Sequence, residues 1–437
     1  MFRFVLVLLL VSGCSFDDKT GIWTGDTKIS NKKLKNENLK TVFKKKENVS
    51  SNINLLSNRK IIFDEINSNY SWTQKYSNNN NYIGHIDFAN NGNFIKLIKL
   101  SKNLINKNIL YENKKLFFSD EKGNIGVYST DINTKIFLFN FYKKKHKRIK
   151  KKINLIIKDE LIFAADNLGY IYCLNYKSKK MIWAKNFLIP FRSNIKIIDK
   201  YIFIADEKNK IIVLNLNNGN KVDELYTKPA KTVSKFENNF VIDDNNNLLL
   251  LNTNGNLYSV NLVNNKIINW VRNFNSQDQS IFNAKPLIVF DNKILITTYE
   301  KISLFNQNGS RIWDLNINSD VVPVISGNSI FTINKDNYLV IIDKNDGKII
   351  YSKQLNAILE KSLGKKYKKI KKINKLFLSN KKILLISDNS FFIELELNKN
   401  IKVLSVRKKP FDVYSDIVFV NNQLILVSKK NKLFQIF

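Results

Sequence analysis

Cysteine and histidine are scarce in this sequence, which contains only two of each among its 437 residues. So few cysteines exclude a scaffold that is held together by disulfide bonds. Cys14, His85, His146 and Cys173 are also too few and too widely spaced for a Cys/His zinc site. The 14 glycines are far fewer than a collagen-like chain needs.

The same scarcity limits the enzymatic chemistry that the chain offers. His146 lies in the basic run 143–148, where we expect a solvated side chain, and Cys173 lies in an apolar run, where we expect a buried structural thiol. A Ser-His-Asp triad stays open, but no nucleophile-elbow motif indicates one. We therefore predict no catalytic residue, no metal and no cofactor.

Arginine is rare although the chain is strongly basic. The 71 basic residues, against 37 acidic ones, include only seven arginines, and the formal charge is +34. Proteins that read nucleic acids favour arginine, whose planar guanidinium pairs with guanine and phosphate. We therefore predict no nucleic-acid partner and lysines spread over solvated faces. The runs 143–152 and 365–372 leave two interpretations open, which are solvated loops or contact with anionic lipid head groups.

The apolar run Phe4–Val11 is too short to cross a bilayer, which takes about 20 residues, but it has the length of a signal-peptide core. It follows Arg3 and ends in Val-Ser-Gly-Cys at Cys14, which resembles the lipobox of bacterial lipoproteins. The resemblance implies a signal peptide over residues 1–13, a lipid anchor on Cys14 and, because Ser15 follows, transfer to the outer membrane. The alternatives are an ordinary cleaved signal peptide with an incidental cysteine and a buried N-terminal helix.

A repeated unit dominates the remainder of the chain. Its clearest copy begins at Asp166, turns at Gly169, continues in an apolar strand and ends in a strand that carries Trp183. Eight copies at a period near 44 residues, the length of one four-stranded blade, begin at Asp120, Asp166, Asp206, Asn252, Thr297, Asn334, Ser387 and Ser428. We see no amphipathic helix longer than a turn or two. The sequence thus predicts an all-β chain that forms an eight-bladed β-propeller of four-stranded antiparallel blades.

The domain boundaries follow from this pattern. Residues 1–13 are predicted to be the signal peptide, 14–60 the lipidated N-terminus and a flexible tether, and 61–437 the β-propeller. The last unit stops at Phe437 without an outer strand. We therefore expect an N-terminal strand, within residues 70–76, to complete it and close the ring.

The repeat resembles that of quinoprotein-type propellers, and its combination with a lipobox resembles the BamB family. The resemblance implies a non-enzymatic, lipid-anchored scaffold of the outer-membrane β-barrel protein assembly (BAM) complex. Its partners would be the periplasmic domains of a BamA-like barrel-insertion protein and nascent outer-membrane proteins. The alternative from another class is a periplasmic propeller enzyme or ligand-binding sensor that uses the central channel.

Two departures concern the surface by which family members dock. Asn283 and Ile281 stand where the family has an acidic pair before a proline-led strand, and the loop 225–231 contains no arginine. Those contacts are therefore not transferred to this chain. Phe191 and Arg192, on a loop between strands, are the partner-binding candidates that the sequence offers.

Overall fold

The computed structural model describes residues 51–55, 60–142, 146–230, 235–262, 267–275, 281–397 and 401–437. These residues belong to one compact unit, Glu47–Phe437. The predicted signal peptide, Cys14 and most of the predicted tether lie outside them. Within these ranges, no helix is both long and apolar enough to cross a membrane.

The predicted eight-bladed propeller is confirmed, because the chain forms eight sheets, each built on four antiparallel strands, and the short strand His85–Ile86 joins the sheet of blade 7 as a fifth, parallel strand. Two short strands, β1 (His85–Ile86) and β2 (Phe94–Lys99), precede the first blade. The strands of each blade are given from the axis outward. Blade 1 contains β3 (Leu110–Glu112), β4 (Lys115–Ser119), β5 (Asn124–Ser129) and β6 (Thr134–Asn140), and blade 2 contains β7 (Ile153–Lys158), β8 (Leu161–Asp166), β9 (Tyr170–Asn175) and β10 (Lys180–Asn186). Blade 3 contains β11 (Lys196–Ile198), β12 (Tyr201–Ala205), β13 (Ile211–Asn215) and β14 (Lys221–Leu225), and blade 4 contains β15 (Asn239–Ile242), β16 (Asn247–Leu251), β17 (Asn256–Asn261) and β18 (Ile268–Asn273).

The second half of the ring continues in the same order. Blade 5 contains β19 (Ile288–Phe290), β20 (Lys293–Thr297), β21 (Ile302–Asn306) and β22 (Arg311–Leu315), and blade 6 contains β23 (Val324–Ser326), β24 (Ser329–Ile333), β25 (Tyr338–Asp343) and β26 (Ile349–Gln354). Blade 7 contains β27 (Ile373–Ser379), β28 (Lys382–Ser387), β29 (Phe391–Glu396) and β30 (Lys402–Lys408). Blade 8 contains β31 (Val418–Val420), β32 (Gln423–Val427) and β33 (Lys432–Ile436), with β2 as its outer strand. The second and third strands of the blades are almost entirely buried. The core therefore lies between neighbouring blades, midway from the axis to the outer edge.

The residue that begins the repeat caps the turn between the second and third strands, except in blade 5, where Thr298, next to the predicted start at Thr297, caps the turn instead. In blade 2, Asp166 Oδ1 accepts hydrogen bonds from the backbone N–H groups of Leu168 (2.8 Å) and Tyr170 (3.1 Å). Asp206 does the same in blade 3. A short polar side chain that accepts backbone N–H groups two and four residues later stabilises a tight turn. This requirement explains why Asp, Asn, Ser or Thr recurs at the start of the unit.

Tryptophans fasten neighbouring blades near their outer edges. Trp313 of blade 5 is buried, and its indole N–H donates to the carbonyl of Lys344 in blade 6 at 3.0 Å. Its ring lies against Gly347, where an added Cβ would come within 2.6 Å of the indole. Trp183 and Trp270 make the equivalent contacts with the next blade.

Asparagines fasten the blades next to the axis. Asn108 Oδ1 accepts the backbone N–H of Leu155 (3.0 Å), and Asn239 Oδ1 accepts that of Leu287 (2.9 Å). Asn194 bonds both the N–H and the carbonyl of one residue in blade 4. Each asparagine thereby joins one blade to the next at or just before their first strands.

An N-terminal strand closes the ring, as predicted, but it is β2 and not the expected segment 70–76. β2 pairs antiparallel with β33, with Phe94 opposite Ile436. Phe94 contacts Phe411 and Phe434 at ring-centroid distances of 5.5 and 6.0 Å. The alternation of apolar and basic residues in β2 fits an outer edge strand. Residues 70–76 lie instead near the propeller axis.

The expectation of no helix longer than a turn or two is wrong at one connection. Between β26 and β27 the chain forms α1 (Leu355–Leu363), followed by a 3₁₀ helix, Gly364–Lys369. Leu355, Ile358 and Leu359 are buried at helical spacing against β26 and β30. Three apolar residues among polar ones are a weak periodic signal, which explains why the pattern did not reveal the helix.

Candidate functional site: the axial channel and its rim

The first strand of every blade borders the propeller axis, and its inner edge carries backbone groups without a partner in the sheet. Such edges have to be satisfied by water, by a ligand or by other parts of the chain. Here residues 62–90, which we name the channel segment, run along these edges. The segment lies in the position where a channel-based enzyme or sensor would bind its ligand.

The channel segment follows the blades in order around the axis. It contacts blade 6 through Asp64, whose N–H donates to Ser326 Oγ at 2.9 Å, and blade 8 through the carbonyl of Asn69. Four further backbone carbonyls each accept one inner-edge N–H group at 2.8–2.9 Å. The pairs are Trp72 with Tyr111, Thr73 with Ile157, Asn79 with Ile242, and Asn80 with Val289, in blades 1, 2, 4 and 5.

Blade 3 holds the channel segment through a buried lysine. Lys196 has no exposed surface, and its ammonium group donates to Gln74 Oε1 (3.1 Å), to the carbonyl of Asn78 (2.7 Å) and to Asn81 Oδ1 (3.0 Å). Burial lowers the pKa of Lys196 well below its ordinary value, because the charged form loses its hydration. Asn81 in turn donates to the carbonyl of Leu287 at 3.0 Å. Hydrogen bonds of the buried Lys196 and Asn81 thus join the segment to blades 3 and 5.

The segment returns to blade 7 through His85, which is buried. β1 pairs in parallel with β27, with His85 opposite Leu378. The Nδ1 atom lies 3.0 Å from the carbonyl oxygen of Asp64, and Nε2 accepts the backbone N–H of Lys381 at 2.8 Å. Both contacts are satisfied together by the neutral imidazole with its hydrogen on Nδ1. This histidine has a structural role and is not directed toward an open site.

Charged side chains surround the tip of the segment on the rim formed by the connections between blades. Lys75 forms an ion pair with Glu237 at 3.4 Å. Burial disfavours the Lys75 charge, but Tyr76, Glu237 and Asp416 together raise the Lys75 pKa above its ordinary value. Lys75 lowers the pKa of Glu237 in return. Beside this pair lies a cavity of about 200 Å³, which is lined by the tip of the segment and by the connections that lead into blades 3, 4 and 5.

The two predicted partner-binding residues, Phe191 and Arg192, differ in their exposure to solvent. Phe191 is only 5% exposed and packs against Phe187 in the core between blades 2 and 3. Arg192 is partly exposed on the rim, where its guanidinium donates to the carbonyl of Phe236 at 3.4 Å and helps to lower the pKa of Glu237. Partner binding by either residue stays a prediction, and Arg192 is the one whose side chain reaches the surface.

The groups that an enzyme would use are engaged elsewhere. Cys173 is buried, as predicted, and burial raises its thiol pKa to about 12. Among the described ranges, no group of three or more His, Cys, Asp or Glu residues is arranged to hold a metal ion. The axial side chains named above bond mainly to the channel segment, so the arrangement is suited to rigidity and to contacts at the rim.

The amino-acid sequence did not predict the channel segment. The polar run 78–81 consists of four asparagines, which resembles a loop of low complexity. One signal did point to it, since 59 residues, 61–119, separate the predicted tether from the first repeat at Asp120, more than one strand requires. Which of these residues face the axis depends on contacts with eight distant strands, and no local pattern encodes those contacts.

Comparisons with known proteins agree with this architecture. A family model described as outer membrane protein assembly factor BamB matches residues 143–353. Among solved structures, BamB from Moraxella catarrhalis is 12% identical, with a TM-score of 0.59, over 79% of this chain and 98% of that one. The computationally designed Ika8 protein is 10% identical, with a TM-score of 0.55, over 78% and 98%.

A third solved structure, Sqt1 from Saccharomyces cerevisiae, is 7% identical, with a TM-score of 0.59, over 80% of this chain and 99% of that one. No curated protein sequence matches the chain. At such low identities the solved structures establish the fold alone. Together with the family model, they confirm the resemblance to a BamB-like propeller.

Proposed function

We propose that this BamB-like propeller is a non-enzymatic, lipid-anchored scaffold of the outer-membrane β-barrel protein assembly (BAM) complex. It docks by its rim on the periplasmic domains of a BamA-like barrel-insertion protein and assists the insertion of nascent outer-membrane proteins. Cys14 carries the lipid after removal of residues 1–13, and the propeller lies at the periplasmic face of the outer membrane.

The occupied axis is the observation that carries the proposal. An enzyme or sensor of the quinoprotein type needs an open axial site, whereas here the channel segment contacts the first strand of every blade. Opening that site requires breaking these backbone hydrogen bonds and exposing Lys196. This favours a scaffold that uses its rim over the alternative enzyme or sensor. The match of the BamB family model to residues 143–353 supports the same conclusion.

The partner is tested by photocrosslinking in the native host. A photoreactive amino acid replaces Arg192, and a second variant carries it at Lys179, which is exposed on the opposite rim. We expect the Arg192 position to capture a barrel-assembly component and the Lys179 position to capture none. If neither Arg192 nor other positions on its rim recovers such a component, the proposed partner is wrong.

The anchor is tested separately by labelling cells with radioactive palmitate. We expect the wild-type chain to take up label and fractionate with the outer membrane. The Cys14→Ala variant should remain unlabelled. Label that persists in Cys14→Ala contradicts the assignment of the anchor, whatever the crosslinking shows.

A further inference from the structure

One connection of the propeller carries a dense group of lysines on an ordered frame. Residues 361–372, which we name the lysine bracket, contain seven lysines and no acidic residue. The bracket comprises the end of α1, the 3₁₀ helix Gly364–Lys369 and the residues that lead into β27. All seven lysines are exposed.

The frame of the bracket is held by apolar contacts, so that the lysines point outward. α1 buries Leu355, Ile358 and Leu359 between the outer strands of blades 6 and 7. Tyr367 and Ile370 are half-buried and pack on the same cluster. The apolar side chains occupy the inner side of the connection, which leaves the outer side to the lysines. A solvated loop of lysines needs no such anchoring.

The positive charge of the bracket is almost uncompensated. Lys372 forms an ion pair with Asp320 at 2.9 Å. Within the part of the chain that the structure describes, the other six lysines form no ion pair. Six cations held within twelve residues repel one another, and an external anionic surface relieves that repulsion. The electrostatics therefore favour an extended anionic partner over a single small anion.

The path of the chain indicates which anionic surface this is. The N-terminal part of the described chain joins the propeller at blade 6, where Ile53 and Ser352 exchange two backbone hydrogen bonds of 2.7 and 2.9 Å. Ser352 lies on β26, three residues before α1 begins at Leu355. Gln354 N–H also donates to Asn52 Oδ1, so the described residues 51–55 lie beside the connection that carries the lysine bracket. If Cys14 carries the proposed anchor, the chain from that anchor reaches the propeller on the side of the bracket.

We propose that the lysine bracket binds the phosphate groups of an anionic lipid surface and so orients the propeller on the membrane. The argument from the chain path rests on the proposed lipid anchor, whereas the charge argument does not. Each lysine close to an anionic surface strengthens binding by a factor of about five. Four lysines that reach the head groups then contribute up to several hundredfold.

The test measures vesicle binding by the mature chain from residue 14 onward with Cys14→Ser, which carries no lipid. Vesicles of phosphatidylcholine with 30% phosphatidylglycerol are compared with phosphatidylcholine alone at 50 mM NaCl. The bracket variant contains Lys365→Gln, Lys366→Gln, Lys368→Gln and Lys369→Gln. A matched control with the same loss of charge contains Lys179→Gln, Lys180→Gln, Lys200→Gln and Lys402→Gln, all exposed on the opposite rim.

We expect the wild-type chain to bind the anionic vesicles at least tenfold more strongly than the neutral ones, and to lose this preference at 300 mM NaCl because salt screens the charges. The bracket variant should lose at least tenfold in affinity, and the control less than threefold. Arginine at the same four positions should preserve binding, which shows that the glutamine variant fails through charge and not through folding.

Three results overturn the proposal. The wild-type chain does not prefer anionic vesicles, or the two glutamine variants lose affinity equally, or the bracket variant binds the anionic vesicles as strongly as the wild type. Because the assay contains neither a lipid anchor nor a barrel-assembly protein, its failure is distinguishable from a failure of the proposed function.

Discussion

The buried lysine in the channel gives the sharpest test of how the axis is filled. Lys196 is completely buried, and its hydrogen-bond acceptors all belong to the channel segment: Gln74 Oε1, the Asn78 carbonyl and Asn81 Oδ1. No carboxylate is among them. Burial lowers its pKa well below the value of 10.5 that it has in the unfolded chain. The native state therefore gives up this proton at a pH at which the unfolded state still holds it.

The sign of the pH dependence follows from that difference. Between the native pKa and about 10.5, the unfolded chain binds one more proton at residue 196 than the native chain, so raising the pH stabilises the native state. Below the native pKa both states are protonated, and the full cost of the buried charge is present. The contribution changes by at most about 1.4 kcal/mol per pH unit.

The perturbation is Lys196→Met, which keeps the length of the side chain and removes its charge. The assay is urea unfolding followed by tryptophan fluorescence from pH 7 to pH 10. We expect the free energy of unfolding of the wild type, minus that of the variant, to rise with pH at a slope that approaches this limit. At pH 10 the variant should be less stable by about 1–3 kcal/mol, because the buried Asn81 Oδ1 and the Asn78 carbonyl lose their donor.

The control is Lys200→Met, which removes the same charge four residues away from an exposed position. Subtracting the free energy of unfolding of each variant from that of the wild type cancels the other titrating groups, so only the substituted residue remains in each difference. We expect no slope for Lys200→Met. Equal pH dependence in the wild type and in Lys196→Met would refute the buried, hydrogen-bonded lysine and the packing of the channel segment around it.

Two further predictions concern the body of the propeller. Trp313→Ala should lower the free energy of unfolding by about 3–5 kcal/mol in urea titrations, because it empties the space against Gly347 and removes the hydrogen bond to the Lys344 carbonyl. The control Leu138→Ala, at a residue that is 63% exposed, should change the free energy of unfolding by less than about 0.5 kcal/mol. Similar losses in both variants would contradict the role of the indole in joining blades 5 and 6. The thiol of Cys173 is fully buried with a pKa of about 12, so in a Cys14→Ser background it should react with a disulfide reagent at pH 8 only after unfolding. Rapid labelling of the folded protein would show that blade 2 opens far more easily than its packing indicates.

The sequence alone predicted the blades because the same turn and strand signals recur within each repeat. Asp166 and its equivalents mark a turn, the strands beside it are continuous apolar runs, and Trp183 marks the outer strand. These signals lie within one unit of about 44 residues, and turn chemistry and strand burial depend mainly on residues within that unit. The number of blades and their strand order therefore followed directly from the spacing.

The contents of the channel were not predictable in the same way. Trp72 resembles the outer-strand tryptophans, which explains why residues 70–76 were expected to close the ring, but its backbone pairs with Tyr111 at the axis. In the sequence, Lys196 is indistinguishable from an exposed lysine at the start of a strand. It is buried because the distant residues Asn78 and Asn81 lie against its side chain. Phe191 was expected on a loop surface, yet a neighbouring aromatic side chain covers it. For Trp72 and Lys196 the deciding contact lies far away in the sequence, whereas Phe191 is covered by Phe187, only four residues before it.

The closure of the ring by β2 has a consequence for how the protein matures. β2 ends at Lys99, whereas its partner β33 begins at Lys432, so more than 300 residues separate the two strands that close the ring. Contacts over such a separation form slowly and leave strand edges exposed in the meantime. We therefore expect the pairing of β2 with β33 to be a late step of folding, and a chain that lacks residues 432–437 to be left with an open seam.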